Sequence, residues 1–162
     1  MSSNPDDPTA ISERLLRRTL HTYWRLARGL TLGVKGAVMT PENQVFLVRH
    51  TYVSGWHLPG GGVEAGEIAL EALSRELVEE ARIALTGPPQ LHGIFFNGKT
   101  SRRDHVLVYV VRDFRVIEAK RPDREIAEAA FFPLQGLPEN TSPATRRRLA
   151  EIVAGAPADA NW

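Results

Sequence analysis

The stretch "LPGGGVEAGEIALEALSRELVEEARIAL", residues 58–85, decides the fold of this chain. A glycine-rich turn runs directly into a helical pattern that places Glu76, Glu79 and Glu80 close together. On a helical wheel Leu70, Leu73, Leu77, Ala81 and Ala84 form one apolar stripe, expected to face a core. Glu76 and Glu80 lie one turn apart at its edge, with Glu79 beside them. The small side chains of Ala69 and Ala72, with Ile83, share the carboxylate side and leave room above it. Carboxylates at this spacing destabilise an isolated helix by roughly a few tenths of a kcal/mol per pair. A solvated face would carry lysines at i+4, and none occurs between Gly61 and Leu85. Arg75, one turn before Glu79, is the nearby cation and is expected to hold that carboxylate.

Such a face calls for a bound cation. Ligands that are all oxygen suit a hard ion, magnesium first and manganese second. Magnesium commonly completes its shell with substrate phosphates, so the helix points to phosphate chemistry. The run Gly60, Gly61 and Gly62 lets the backbone approach a ligand and offers carbonyls to a metal. Neither feature is specific alone: a glycine run is commonly a turn, and a lone E-x-x-E-E is commonly a solvent face.

Outward from this stretch, "TLGVKGAVM" (31–39) and "QVFLVRH" (44–50) read as strands joined by the turn "TPEN", and "GWHLPG" as a short strand ending at a proline. "LHGIFFN" (91–97) and "DHVLVYVVRDF" (104–114) are rich in β-branched and aromatic residues and flank the polar loop "GKTSRR". "AEAAFFPL" (127–134) is a further strand, and Ser142 with Pro143 open a last helix to about Val153. This order predicts a mixed α/β sandwich rather than a doubly wound sheet. Residues 1–8 are expected to be disordered and 9–30 to form an amphipathic helix, with five arginines opposite its apolar side. That helix is expected to dock on the domain or on a second subunit, which would make a homodimer. Binding to a membrane or nucleic acid is not expected.

The chain has 162 residues, 43% apolar and 24% charged, with a formal net charge of +1, as for one ordinary globular domain without a charge-selected partner. It has no cysteine, which excludes disulfides and Cys-ligated zinc. Apolar runs are too short to span a bilayer, and the N-terminus lacks the core of a secretory signal. The default expectation is a cytoplasmic protein.

Joined at fixed spacing, Gly61, Glu67, Arg75-Glu76-Leu77, Glu79-Glu80 and Ile83 resemble the signature of the Nudix hydrolases, G-x5-E-x7-R-E-U-x-E-E-x-G-U, where U is a bulky aliphatic. Such a set of matches arises by chance at roughly one start in 10⁷. Arg82 departs from the pattern, standing where the family has glycine. A glycine would supply a left-handed cap; with arginine the helix is expected either to take that conformation at about 1 kcal/mol or to run on by a residue or two. The resemblance implies an α/β/α sandwich with a mixed sheet over 31–154, followed by a tail over 155–162.

The same resemblance implies hydrolysis of a diphosphate linked to a nucleoside, with Mg²⁺ as the usual metal and Mn²⁺ as an alternative. Glu76, Glu79 and Glu80 would then be metal ligands, with the Gly61 carbonyl as a fourth, while Arg75 orients a glutamate and Glu67 fixes the glycine loop. Glu79 and Arg75 are thus expected in the catalytic set. The general base is a helix glutamate or one from a late loop, where Glu125 is favoured over Asp123 and Glu128. Arg49, Lys99, Arg102 and Arg103 could add charge near the phosphates, Gly62 could approach the substrate, and Tyr52, Trp56, Phe95 or Phe96 could stack on a base. No proline stands at Gly98 or Lys99, where ADP-ribose-specific members carry one. A nucleoside triphosphate and a nucleoside-diphosphate sugar both stay open as substrates. The competing reading is a regulatory module of the same fold that binds a nucleotide without turnover; such proteins usually lose signature carboxylates, and this chain keeps them.

Overall fold

The computed structural model describes residues 29–162. The expected N-terminal helix lies outside these residues but for Gly29 and Leu30. Strand β1 (Thr31–Val38) pairs in parallel with β5 (Asp104–Val111), and β4 (Gln90–Phe96) pairs antiparallel with β5. Strand β2 (Gln44–His50) pairs antiparallel with β7 (Ile126–Pro133). A third antiparallel pair joins β3 (Ile83–Leu85) to β6 (Phe114–Val116). Helix α1 spans Ala69–Ala81 and α2 spans Pro143–Ala154.

Alternation along the strands divides the interior. Val34 and Val38 of β1 with Leu107, Tyr109 and Val111 of β5 pack against Leu73, Leu77 and Ala81 of α1. The intervening Ala37, Val106, Val108 and Val110 join a second core with Leu149 of α2. A period of two therefore puts one helix on each side of the β1–β5–β4 sheet, the α/β/α sandwich with mixed strand directions expected from the sequence. Gly36 makes room for α1: a Cβ there would stand 3.2 Å from Leu73 Cδ1 and 3.1 Å from Leu77 Cδ2.

The structure decides one open alternative and revises one reading. Helix α1 stops at Ala81, and Arg82 adopts the left-handed conformation (φ 55°, ψ 39°) with its N–H on the Leu77 and Val78 carbonyls. The helix cannot run on because Ile83, fully buried, begins β3 at once. The segment 155–162, read as a tail, returns to the sheet: Phe96 N donates to Ala160 O at 2.8 Å and Trp162 N to Phe96 O at 3.0 Å. The fully buried Arg148 guanidinium, 4.2 Å above the Phe95 ring, fastens it by donating to Asn161 O at 2.6 Å.

Candidate active site

The glycine run closes on the protein's own backbone before it meets any ligand. Gly36 N donates to Pro59 O and Val34 N to Gly61 O, each at 2.9 Å, so residues 59–63 lie along β1. Gly60 has φ 136°, and a Cβ there would collide with the Val34 carbonyl. A Cβ at Gly61 would collide with the Glu76 carboxylate. At Gly60 only glycine permits this approach of loop to strand. The Gly61 carbonyl, expected to reach a metal, is engaged by Val34, and the Gly62 carbonyl accepts from Arg75 Nη2 at 3.0 Å. The carbonyl that faces a cation is that of Gly60, which accepts from Lys35 Nζ.

Arg75 is the hub that joins loop to helix. Its Nε and Nη2 donate to the two oxygens of Glu67, both at 3.0 Å, and its Nη1 donates to Glu76 Oε1 at 2.6 Å. Glu79 stands farther off, with Oε2 3.7 Å from Nη1. Arg75 therefore orients Glu67 and Glu76 more closely than Glu79, contrary to the i+4 expectation. A planar fork serves several acceptors that a point charge cannot. The Arg75 bonds, with a donation from Glu64 N, hold the Glu67 carboxyl below its usual range, and Glu67 and Glu76 hold the guanidinium charged well above ordinary arginine.

The helix is rolled so that its carboxylate edge goes inward. Its buried residues are Ala72, Leu73, Leu77, Glu80 and Ala81, while Leu70 is exposed. The open space expected above Ala72 is filled, and Ala84 belongs to β3. Glu80 is 7% exposed, and its Oε2 accepts from Gly60 N at 2.7 Å. Burial pushes its carboxyl above the usual range, against the pull of Lys35 and the Gly60 N–H. His50 Nδ1 lies 3.7 Å from Glu80 Oε1 and has no hydrogen-bond partner. Burial, with the Lys35 charge, lowers the His50 pKa to about 4, so the ring is neutral. Burial also lowers the pKa of Lys35, while Glu80 and Glu76 draw it back up. Neither Lys35 nor His50 was singled out from the sequence; the signal for Lys35 was a single charge inside the apolar strand "GVKGAV".

The three helix carboxylates thus differ in setting: Glu80 is buried, Glu76 is 13% exposed at the side chain and Glu79 is 61% exposed. Among the described residues no group of three acidic or histidine side chains is gathered at metal-binding spacing. Like charges separate when each can take its own donor, as Glu76 takes Arg75 and Glu80 takes Gly60 N–H. The donor set still suits a hard cation. It is all oxygen on one helical turn, and Glu76 and Glu80 both attract the ammonium that sits on the Gly60 carbonyl.

The outlying candidates separate. The loop before β7 is set by Asp123, which accepts from Glu125 N (2.9 Å) and Ile126 N (2.8 Å) and pairs with Lys120. These bonds depress the Asp123 carboxyl and occupy it, leaving Glu125 exposed, where its charge acts on Glu80 and Tyr52. Arg49 pairs with Glu128 across the β2–β7 ladder and lines a 340 Å³ cleft with His50, Tyr52 and Asn140. Trp56 is buried, 8% exposed, edge-on to Phe132, and serves the second core rather than a base. Phe95 is fully buried, whereas Tyr52 is open. Lys99 and Arg103 lie on the loop before β5, whose first residue Asp104 is paired with Thr31, two residues before the Gly33–Gly62 bridge.

Residues 29–152 match a family model described as the NUDIX domain. The chain is 29% identical over 132 residues to an ADP-ribose pyrophosphatase of Methanocaldococcus jannaschii, covering 79% of this chain and 76% of that protein. It is 38% identical over 101 residues to a candidate mutator protein, MutT4, of Mycobacterium tuberculosis, covering 60% of this chain and only 40% of that protein. Among solved structures, the MutT NUDIX hydrolase from Burkholderia pseudomallei has a TM-score of 0.62 at 25% identity, over 75% of this chain and 97% of that one. No helix among the described residues is long and apolar enough to cross a membrane.

Proposed function

The chain belongs to the Nudix family, and from this premise we propose that it is a pyrophosphohydrolase that cleaves the diphosphate of a nucleoside triphosphate or a nucleoside-diphosphate sugar with Mg²⁺. The observation that carries the reading is the Arg75 hub, which ties the glycine loop to the carboxylate helix through Glu67, Glu76 and the Gly62 carbonyl. Glu76, Glu79 and Glu80 would hold the metal, with the Gly60 carbonyl in the place expected for Gly61. When bound, a divalent ion neutralises the diphosphate and lowers the pKa of the attacking water.

The chain's own groups supply the rest. Arg75 fixes Glu67 and Glu76 by its hydrogen bonds. Asp123 holds the loop that carries Glu125, whose charge acts on Glu80, and Glu125 would take the proton of the attacking water. The water oxygen adds to one phosphorus, the bridging P–O bond breaks, and the bridging oxygen leaves with the other phosphate. Tyr52, exposed and lining the cleft, is an aromatic ring available to a base, and Arg49, Lys99 and Arg103 remain candidates for phosphate contact.

Phosphate and pyrophosphate release from a panel of nucleoside triphosphates and nucleotide sugars, with and without Mg²⁺, tests the proposal. Metal-dependent turnover of one class is the expected result. Saturable nucleotide binding without turnover under any metal would select the regulatory reading instead.

A further inference from the structure

Lys35 stands in the middle of β1 between residues that are fully buried or nearly so, where an apolar side chain would continue the core. Its ammonium instead reaches the Gly60 carbonyl, on the loop that Gly60 alone can carry so close to Val34 and Lys35. Glu80 Oε2 is bound to the N–H of the same Gly60, so the lysine and the buried carboxylate meet opposite ends of one residue. The other oxygen of Glu80 lies 3.7 Å from His50 Nδ1, a buried ring nitrogen with no hydrogen-bond partner. A lysine, a buried carboxylate and an unpartnered imidazole nitrogen are costly to enclose together unless the site handles cations.

We propose that Lys35 is a resident cation of the carboxylate site, its ammonium holding on the Gly60 carbonyl the place of a divalent ion and so limiting how many such ions the helix takes up. The inference rests on the reading of Glu76, Glu79 and Glu80 as metal ligands. The charge balance supports it. By formal charge, Glu67 and Arg75 cancel, Lys35 offsets one of the three helix carboxylates, and the remaining two match one divalent ion. Without the ammonium the same oxygens face inward with an extra formal negative charge that only a bound cation can offset. A purely structural lysine would serve by its hydrogen bond alone, and a neutral donor would replace it.

The test is Mn²⁺ titration of the full chain without nucleotide, followed by electron paramagnetic resonance, for wild type, Lys35→Gln and Lys35→Arg. Glutamine keeps a donor for Gly60 and removes the charge; arginine keeps the charge. Lys35→Gln is expected to bind Mn²⁺ at least tenfold more tightly, or to bind one ion more, and Lys35→Arg to follow wild type. Wild type and Lys35→Gln agreeing within twofold in affinity, with equal stoichiometry, would overturn the role of Lys35 while leaving the metal site intact. Failure of all three proteins to bind Mn²⁺ would overturn both. Should Lys35→Gln be unfolded without metal, refolding on Mn²⁺, followed by circular dichroism, supports the proposal; a chain still unfolded at saturating Mn²⁺ overturns it.

Discussion

Replacing Arg75 by lysine separates charge from geometry at the hub. The arginine makes four hydrogen bonds, two to Glu67, one to Glu76 and one to the Gly62 carbonyl. A lysine ammonium on a shorter stem can keep at most one or two of these. With its side chain 30% exposed, solvent screens the ion pairs, so each lost bond is assigned about 0.5–1 kcal/mol rather than the larger figure for buried charged groups. The expected destabilisation is about 2 kcal/mol, or roughly 4–8 °C in Tm for a domain of this size. Activity should suffer more than stability, because Glu76 and the glycine loop lose their common anchor. A fall in kcat of roughly 10²-fold is expected, since misplacement by about 1 Å has such effects. Differential scanning calorimetry and steady-state kinetics at saturating Mg²⁺ measure the two quantities. An Arg75→Lys protein with Tm within a degree of wild type and full kcat would refute the argument that the fork holds the loop to the helix.

Glu79→Gln should abolish most turnover without unfolding the protein, whereas Glu71→Gln should be silent, because glutamine still accepts from Ile68 N as Glu71 does at 3.2 Å; equal activities in kinetic assays would mark the helix face as merely solvated. Glu125→Gln should lower kcat by roughly 10²-fold with little change in Mn²⁺ affinity, and an unchanged kcat would move the base to the helix. Gly60→Ala should fail to fold or lose more than about 3 kcal/mol in urea unfolding, since its Cβ would meet the Val34 carbonyl at φ 136°. His50 is neutral in the folded protein, so its unfolded form takes up a proton first as pH falls. In the metal-free protein its contribution should be lost between the usual 6.5 and about 4, by up to about 3 kcal/mol at ~1.4 kcal/mol per pH unit. Glu80 acts with the opposite sign, since its raised pKa favours the folded state as pH falls from that value toward the usual carboxylate value. Tm measured from pH 7 to 4 for wild type and His50→Gln isolates the histidine, and parallel curves would count against its burial as a neutral ring.

Local pattern alone carried much of this protein. The spacing from Gly61 to Ile83 placed a glycine loop against a helix and named Glu67, Arg75, Glu76, Glu79 and Glu80 as one unit, because these residues are separated by whole turns or by a short loop. Ser142 and Pro143 likewise announced α2, since a cap acts within its own turn: Ser142 Oγ accepts from Thr145 N at 3.2 Å. Tertiary structure decided what stands opposite each face. A helical wheel shows which residues share a side, but it could not tell that Glu80 is buried and Glu79 open, because that depends on β1, β2 and the Gly60 loop. Pairs far apart in sequence, such as Lys35 with Gly60 and His50 with Glu80, leave no periodic trace in either segment. Trp56 was read as a stacking ring and became core for the same reason, its partner Phe132 lying on β7. The three-residue strands β3 and β6 were too short to show a period, and Arg82 takes its left-handed turn because Ile83 must enter the core, a demand set by packing rather than by its own preference.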